Sequence, residues 1–313
     1  MHDGRVARPA HFLANMVGWP MFAYTMIDSH EKLDALLAQW RADGITSVAM
    51  DFEGEFNLHV YGEHLCLIQL FDNTAYYLVD PFKIDRDGLS RLLESKDIEK
   101  LMFDCASDAA LVRKQYGITL QRVHDVRISA QLLGFNGNLT SLVSTYLGKE
   151  PATGKKGNQT ANWLKRPIAS KLIAYALSDV EHLFALREVL DKEIAVAGLS
   201  GKDSQMQKTA ALPKGPDRPG YEKLSGWKYL SASERIYLKW FFEARDMLAK
   251  RLNLPAFRVL DKRVLVDIAK QVPQTPEDFR KVAHHADTRI AEDLLALLVV
   301  ARDGALQELE GLL

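Results

Sequence analysis

From residue 24 to about residue 196, apolar positions alternate between short runs suited to strands and longer stretches with a 3.6-residue period. Residues 24–27 predict a short strand, and Ser29 predicts the cap of a helix that carries Leu33, Leu36, Leu37 and Trp40 on one side. Three β-rich runs follow, at 46–52, 65–71 and 75–79, separated by Tyr61-Gly62 and by Asp72-Asn73, which read as turns. Leu89, Leu92 and Leu93 then mark a helix, residues 101–103 a strand, and Ala110, Leu111 and Val112 a helix opening near Ser107. Helical spacing returns at 128–133, at 139–147 and over one long run, 169–196. Strands alternating with helices predict an α/β domain with a mixed sheet flanked by helices.

Residues 198–220 shift to Gly, Ser, Lys and Pro, with Pro213, Pro216 and Pro219, and read as a linker. Beyond it the period is purely helical. Ser231 and Glu234 form a capping-box pattern ahead of Tyr237, Leu238, Phe241, Ala244 and Leu248; Thr275-Pro276 marks a further helix start, and 294–300 closes the pattern. The expected division is an extension at 1–23, an α/β domain at 24–197, a linker at 198–220 and a small all-α bundle at 221–313.

The 313 residues suit two cores, and 47% apolar with 26% charged residues is a globular composition. Forty basic against forty-one acidic residues exclude a uniformly cationic coat, though local patches remain open. Two cysteines, Cys66 and Cys105, are too few for a disulfide framework or a thiolate zinc cage, and read as core thiols of a reducing, cytoplasmic compartment. The apolar stretch 11–27, after Arg5 and Arg8, faintly mimics a secretory leader, but Asn15, Gly18 and Pro20 interrupt it. No eighteen-residue apolar run stands elsewhere, so a membrane-spanning role is not expected.

The chemistry concentrates in four separated acids. Asp51 and Glu53 stand two apart at the end of the apolar run Val48-Ala49-Met50, and strand residues i and i+2 share a face. Two carboxylates on one face at the edge of a core are costly unless something positive lies between them. Asp108 opens the helix after the strand ending at Phe103, while Tyr175 and Asp179 are four apart on one helical face. Hard oxygen donors of this kind suit Mg²⁺ or Mn²⁺. Two such ions about 3.5–4 Å apart can hold the attacking and leaving oxygens of a displacement at phosphorus, and Asp51 is the candidate shared ligand.

In this order the motifs resemble the ribonuclease D group of DEDD exonucleases, in the subclass whose third motif carries tyrosine. Asp51-Phe52-Glu53 is similar to its first motif, Asp108 to its second, and Tyr175 with Asp179 to its third. Supporting similarity runs through Leu67-Ile68-Gln69-Leu70, Val79-Asp80-Pro81, Ser141-Leu142 with Leu147-Gly148, and Trp163-Leu164 with Arg166-Pro167. The tail resembles a single copy of the HRDC module at Asn253-Leu254-Pro255, at Val259-Leu260 and at 264–269. The resemblance implies a ribonuclease H-like fold and removal of 3′-terminal nucleotides from RNA, such as tRNA precursors, as nucleoside 5′-monophosphates. It implies that Asp51, Glu53, Asp108 and Asp179 bind two divalent ions, and that Tyr175 orients or helps deprotonate the attacking water, chiefly positioning it because an ordinary tyrosine titrates near about 10. Gln69, Trp163, Lys165 and Arg166 are the expected substrate contacts, and the chain is expected to act as a monomer. Phe103 stands where relatives often have histidine, and Gly54-Glu55 also departs from their pattern, which bears on substrate contacts rather than ligands.

Rival readings are the same chemistry on single-stranded DNA and a catalytically silent RNA-binding scaffold. Asp104 rivals Asp108 for the second motif, and Asp125 reads as the cap of a helix beginning near Val126. Lys155, Lys156, Lys165, Arg166 and Lys171 surround the approach to the third motif. The span 228–263 holds nine basic against four acidic residues, as consistent with a solvated helix face as with a nucleic-acid patch. The histidines show no metal-ligand spacing.

Overall fold

The computed structural model describes residues 11–12, 22–149, 157–158, 160–285 and 287–312. Most of the expected 1–23 extension, and Lys155 and Lys156, lie outside them. The chain divides into two compact units, residues 1–55 with 63–214 and residues 56–62 with 215–313.

The first unit is built on a seven-stranded sheet of β1 (His11–Phe12), β2 (Ala23–Ile27), β3 (Ser47–Phe56), β4 (Glu63–Phe71), β5 (Tyr76–Val79), β6 (Glu99–Met102) and β7 (Val123–Asp125), in the order β1-β2-β5-β4-β3-β6-β7. β2 runs parallel to β5 with Tyr24 opposite Tyr76, β5 antiparallel to β4 with Val79 opposite Ile68, and β3, β6 and β7 parallel to one another, so the sheet is mixed as expected.

Helices α1 (His30–Ala42), α2 (Arg86–Leu93) and α3 (Ala106–Tyr116) share a core with Val48, Met50 and Phe52 of β3; α4 (Val126–Leu132), α5 (Leu139–Leu147), α6 (Ser170–Val180) and α7 (Leu183–Val196) belong to the clusters of the other face. Strand alternation therefore puts Ala49, Asp51 and Glu53 on the α6 and α7 side. Ser29 caps α1 through a 3.3 Å bond from Lys32 N–H, as its position predicted.

Two expectations change. The run 169–196 is two helices rather than one: α6 ends at Val180 and α7 begins at Leu183, because α6 buries Ile173, Ala174 and Leu177 beside Leu67 while α7 buries Leu183, Leu186 and Leu190 beside Ala49 and Leu101. The stretch 198–220 is not uniformly a linker, since it holds α8 (Ser200–Gln207). Asp203 of that helix accepts from the Ser129 hydroxyl at 2.7 Å, and the Gln207 carboxamide takes the Asp125 N–H at 2.8 Å and donates to the Asp125 carbonyl at 3.1 Å. A polar segment can thus be ordered by bonds to backbone and buried side chains that hydrophobic periodicity does not register.

Lys100, in β6, is fully buried, its ammonium donating to the carbonyls of Ser95 and Gln121. Burial, and secondarily Arg122, pull it down to about 7. The unfolded lysine titrates near its ordinary value of about 10.5, so the unfolded chain binds more protons between the two values and stability rises with pH there. We expect the unfolding free energy to gain about 2 kcal/mol from this group between pH 7 and pH 9. Urea titrations at those pH values should show that gain shrinking by about this amount in Lys100→Met; an unchanged gain would remove Lys100 as its source.

The second unit is helical: α9 (Ala232–Leu252), α10 (Ala256–Val259), α11 (Lys262–Gln271), α12 (Pro276–Val282) and α13 (Thr288–Glu310) enclose Leu238, Phe241, Leu248, Leu265, Ile268, Phe279, Leu294 and Leu298. The capping box of Ser231 and Glu234 forms at the start of α9. Much of the basic run is engaged locally: Lys239 pairs with Glu308 at 3.0 Å, Arg251 with Asp293 at 2.6 Å, and Arg245 is buried beside Asp246 and over the Phe242 ring. Phe241 is core, and Trp240 donates its indole N–H to Glu308 at 2.7 Å. Among the described residues, no helix is long and apolar enough to cross a membrane.

Candidate active site

Asp51 and Glu53 lie inside β3 rather than at its end, because the strand continues to Phe56. Asp179, the penultimate residue of α6, comes over the same sheet face, and carboxylate oxygens of Asp51, Glu53 and Asp179 all lie within 4.8 Å of one another. Glu53 is only 8% exposed. Burial first, and then the charges of Asp51, Asp179 and Asp108, hold its carboxyl well above the usual carboxylate range. Oxygens so close repel unless a proton or a cation intervenes. Divalent ions take oxygen ligands at about 2.0–2.6 Å, so one ion can touch all three carboxylates, and the all-oxygen donor set fits Mg²⁺ or Mn²⁺.

Asp108 occupies the first turn of α3 and stays outside that triad, yet near enough for its charge to act on Glu53. Burial, with the charges of Asp104 and Asp125, pushes it up to about 8. The rival Asp104 is exposed and ion-pairs with Arg127. Asp125 caps α4 by accepting from Arg127 N–H at 3.0 Å, and also accepts from the backbone N–H groups of Asp104 at 2.8 Å and Cys105 at 2.9 Å. It therefore fixes the turn that delivers Asp108.

Tyr175 precedes Asp179 by one turn of α6 and packs against the Trp163 ring, their centroids 6.3 Å apart. Burial, then the charges of Asp179, Glu53 and Asp51, raise its hydroxyl above the ordinary tyrosine value. The phenol therefore keeps its proton at neutral pH and is able to donate a hydrogen bond.

The expected substrate contacts separate. Trp163 is 1% exposed and part of the core beneath α6, and Gln69 is fully buried, so neither side chain offers a surface to substrate. The Gln69 carboxamide and the Trp163 indole N–H have no hydrogen-bond partner. Arg166 is taken up structurally: it grips Asp80 at 2.9 and 3.0 Å and donates to the carbonyls of Cys66 at 2.6 Å and Trp163 at 2.8 Å. Its place in the basic group ahead of the third motif suggests a phosphate contact, whereas a buried aspartate 86 residues earlier claims it here. Lys165 is exposed. Glu55, two residues beyond Glu53 on the same strand face and 1% exposed, is a third acid of the β3 row that the sequence reading treated only as a departure; the alternation Asp51, Glu53, Glu55 was its signal.

Residues 24–195 match the 3′-5′ exonuclease family, and residues 238–298 match the HRDC domain. Among curated proteins, ribonuclease D of Desulfotalea psychrophila is 28% identical over 259 residues, covering 79% of this chain and 67% of that protein, and ribonuclease D of Haemophilus influenzae is 26% identical over 82% of this chain and 66% of its own length. Among solved structures, the catalytic core of RRP6 from Trypanosoma brucei superposes with a TM-score of 0.72 at 22% identity, over 97% of this chain and 84% of that one. Escherichia coli RNase D, described as an exoribonuclease involved in structured RNA processing, superposes with a TM-score of 0.71 at 23% identity, over 89% and 75%. With the family match spanning more than half of the 313 residues and the HRDC match following it, the chain belongs to the 3′-5′ exonuclease family, in its ribonuclease D group.

Proposed function

We propose that this enzyme removes nucleotides one at a time from the 3′ ends of RNA, tRNA precursors among them, in a reaction that depends on two divalent cations and releases nucleoside 5′-monophosphates. The observation that carries this reading is the convergence of Asp51, Glu53 and Asp179 within 4.8 Å, with Tyr175 one helical turn from Asp179. Asp51, Glu53 and Asp179 would hold one ion, and Asp51 with Asp108 the other. Bound there, Mg²⁺ or Mn²⁺ acidifies water and offsets charge developing at phosphorus. Tyr175, whose proton is held first by burial and then by the acids around it, would hold the attacking water by a hydrogen bond, and its packing on Trp163 fixes the ring. Lys165, exposed at the approach to α6, would meet a phosphate upstream of the scissile bond.

RNA labelled at either end tests polarity and metal dependence together. The 3′ label should leave first, as a mononucleotide, and only when Mn²⁺ or Mg²⁺ is supplied; early release of the 5′ label, or equal rates in EDTA, would overturn the proposal. In competition, a matched DNA oligomer should be cut more slowly than the RNA, and preference for DNA would transfer the same chemistry to the other substrate.

A further inference from the structure

The segment 204–214, read from sequence as linker, lies between two clefts. Ser204, Gln207, Lys208, Ala211 and Leu212 line one of about 320 Å³, whose other wall includes Arg122. Met206, Thr209, Ala210 and Lys214 line the second, of about 350 Å³, together with Arg127 and Ala106. The two sets are spaced as opposite faces of a helical turn, and turn bonds from Thr209 N–H to the Met206 carbonyl and from Ala210 N–H to the Gln207 carbonyl carry that geometry past the end of α8.

Charge in these clefts is unbalanced in a particular way. The first has no acidic side chain in its wall. In the second, Asp125 is committed to backbone N–H groups and Asp104 to Arg127, whose Nε is buried without a partner. Among the described residues, the side chains of Lys208 and Lys214 make no ion pair or hydrogen bond, and the Arg122 guanidinium donates to the carbonyls of Lys96 at 3.2 Å and Asp97 at 2.8 Å. The segment is also held in place, since the Gln207 carboxamide is bonded to both backbone groups of Asp125 on the edge strand β7. Finally, the second cleft reaches Ala106, two residues before Asp108 on the same helix, so it borders the element that carries one of the catalytic acids.

We propose that this anchored segment is a second RNA contact, in which Lys208 with Arg122, and Lys214 with Arg127, take phosphodiesters of the single strand upstream of the 3′ end. The inference rests on the proposed reading only in that the chain takes RNA; it does not require that the chain hydrolyse it.

The test measures binding of a 20-nucleotide single-stranded RNA across a salt series in EDTA, with Asp51→Asn as the common background. Adding Lys208→Ala and Lys214→Ala should weaken binding about tenfold near 0.1 M salt and flatten the dependence of log affinity on log salt by about 0.7 for each lost contact. Because both lysines are exposed and their side chains make no bonds among the described residues, these changes leave the fold in place. Lys192→Ala with Lys281→Ala, two exposed lysines elsewhere, removes the same net charge and should leave both quantities as they were. Equal affinity and slope in the Lys208/Lys214 variant, or an equal loss in the Lys192/Lys281 control, would overturn the proposal. Failure of the wild-type chain to digest RNA would refute the nuclease reading and leave this measurement standing.

Discussion

Asp51→Asn should reduce RNA hydrolysis at least about 10³-fold while leaving the fold intact, because it takes from the two proposed ion sites the negative charge they share and turns one of its two ligand oxygens into an amide NH2, which cannot bind a cation. The size of the effect follows from position. Among the acids, Asp51 alone is assigned to both sites, whereas Glu53, Asp179 and Asp108 each serve one. The substitution keeps the volume of the side chain, so no cavity forms in β3. It also takes a negative charge away from Glu53, whose carboxyl is held high partly by Asp51. In EDTA the variant should therefore melt no lower than the wild type. Added Mn²⁺ should raise the melting temperature of the wild type, by the linkage between binding and folding, and leave the variant nearly unmoved. Thermal scans with and without Mn²⁺, beside single-turnover digestion, check all three statements; hydrolysis within tenfold of wild type would remove Asp51 from the centre of the site.

That site was legible because its parts obey local rules. Alternation in β3 places Asp51 and Glu53 on one face, and the four-residue spacing of Tyr175 and Asp179 places both on one side of α6, whatever surrounds them. The caps at Ser29, Asp125 and Ser231 were equally readable, since a short polar side chain before an apolar helix has one local use. What escaped were the long-range partners. Arg166 belongs to Asp80, and Trp163 lies inside because α6 covers it; neither relation leaves a trace in spacing. The ordering of 200–207 escaped for the same reason, since Asp203 and Gln207 are satisfied by Ser129 and Asp125, more than 70 residues away. Periodicity reports burial of carbon, and these are bonds between polar groups that bury little of it.

Mn²⁺ affinity should fall by about two orders of magnitude between pH 8 and pH 6, and more steeply if two protons are displaced. Asp108 sits near 8 in the metal-free protein, and Glu53 well above the usual carboxylate range, so below these values each must lose a proton before it can ligate. One proton displaced per ion costs about tenfold in affinity for each pH unit. The same shifts act on the metal-free fold with the opposite sign. An acid whose folded value is raised holds its proton in the native state after the unfolded chain has released its own, so its contribution to stability declines from about pH 4 upward to about 8 for Asp108. Calorimetric titration with Mn²⁺ at pH 6, 7 and 8, in two buffers of different ionisation enthalpy, counts the protons released as well as the affinity. Asp104→Asn adds a second reading: Asp104 is one of the charges that raise Asp108, so removing it should lower the pH at which affinity is half lost. Affinity that is flat from pH 6 to pH 8, with no protons released, would mean that these carboxylates do not ligate the ion, since no buried acid so far above its ordinary value can bind a cation while keeping its proton.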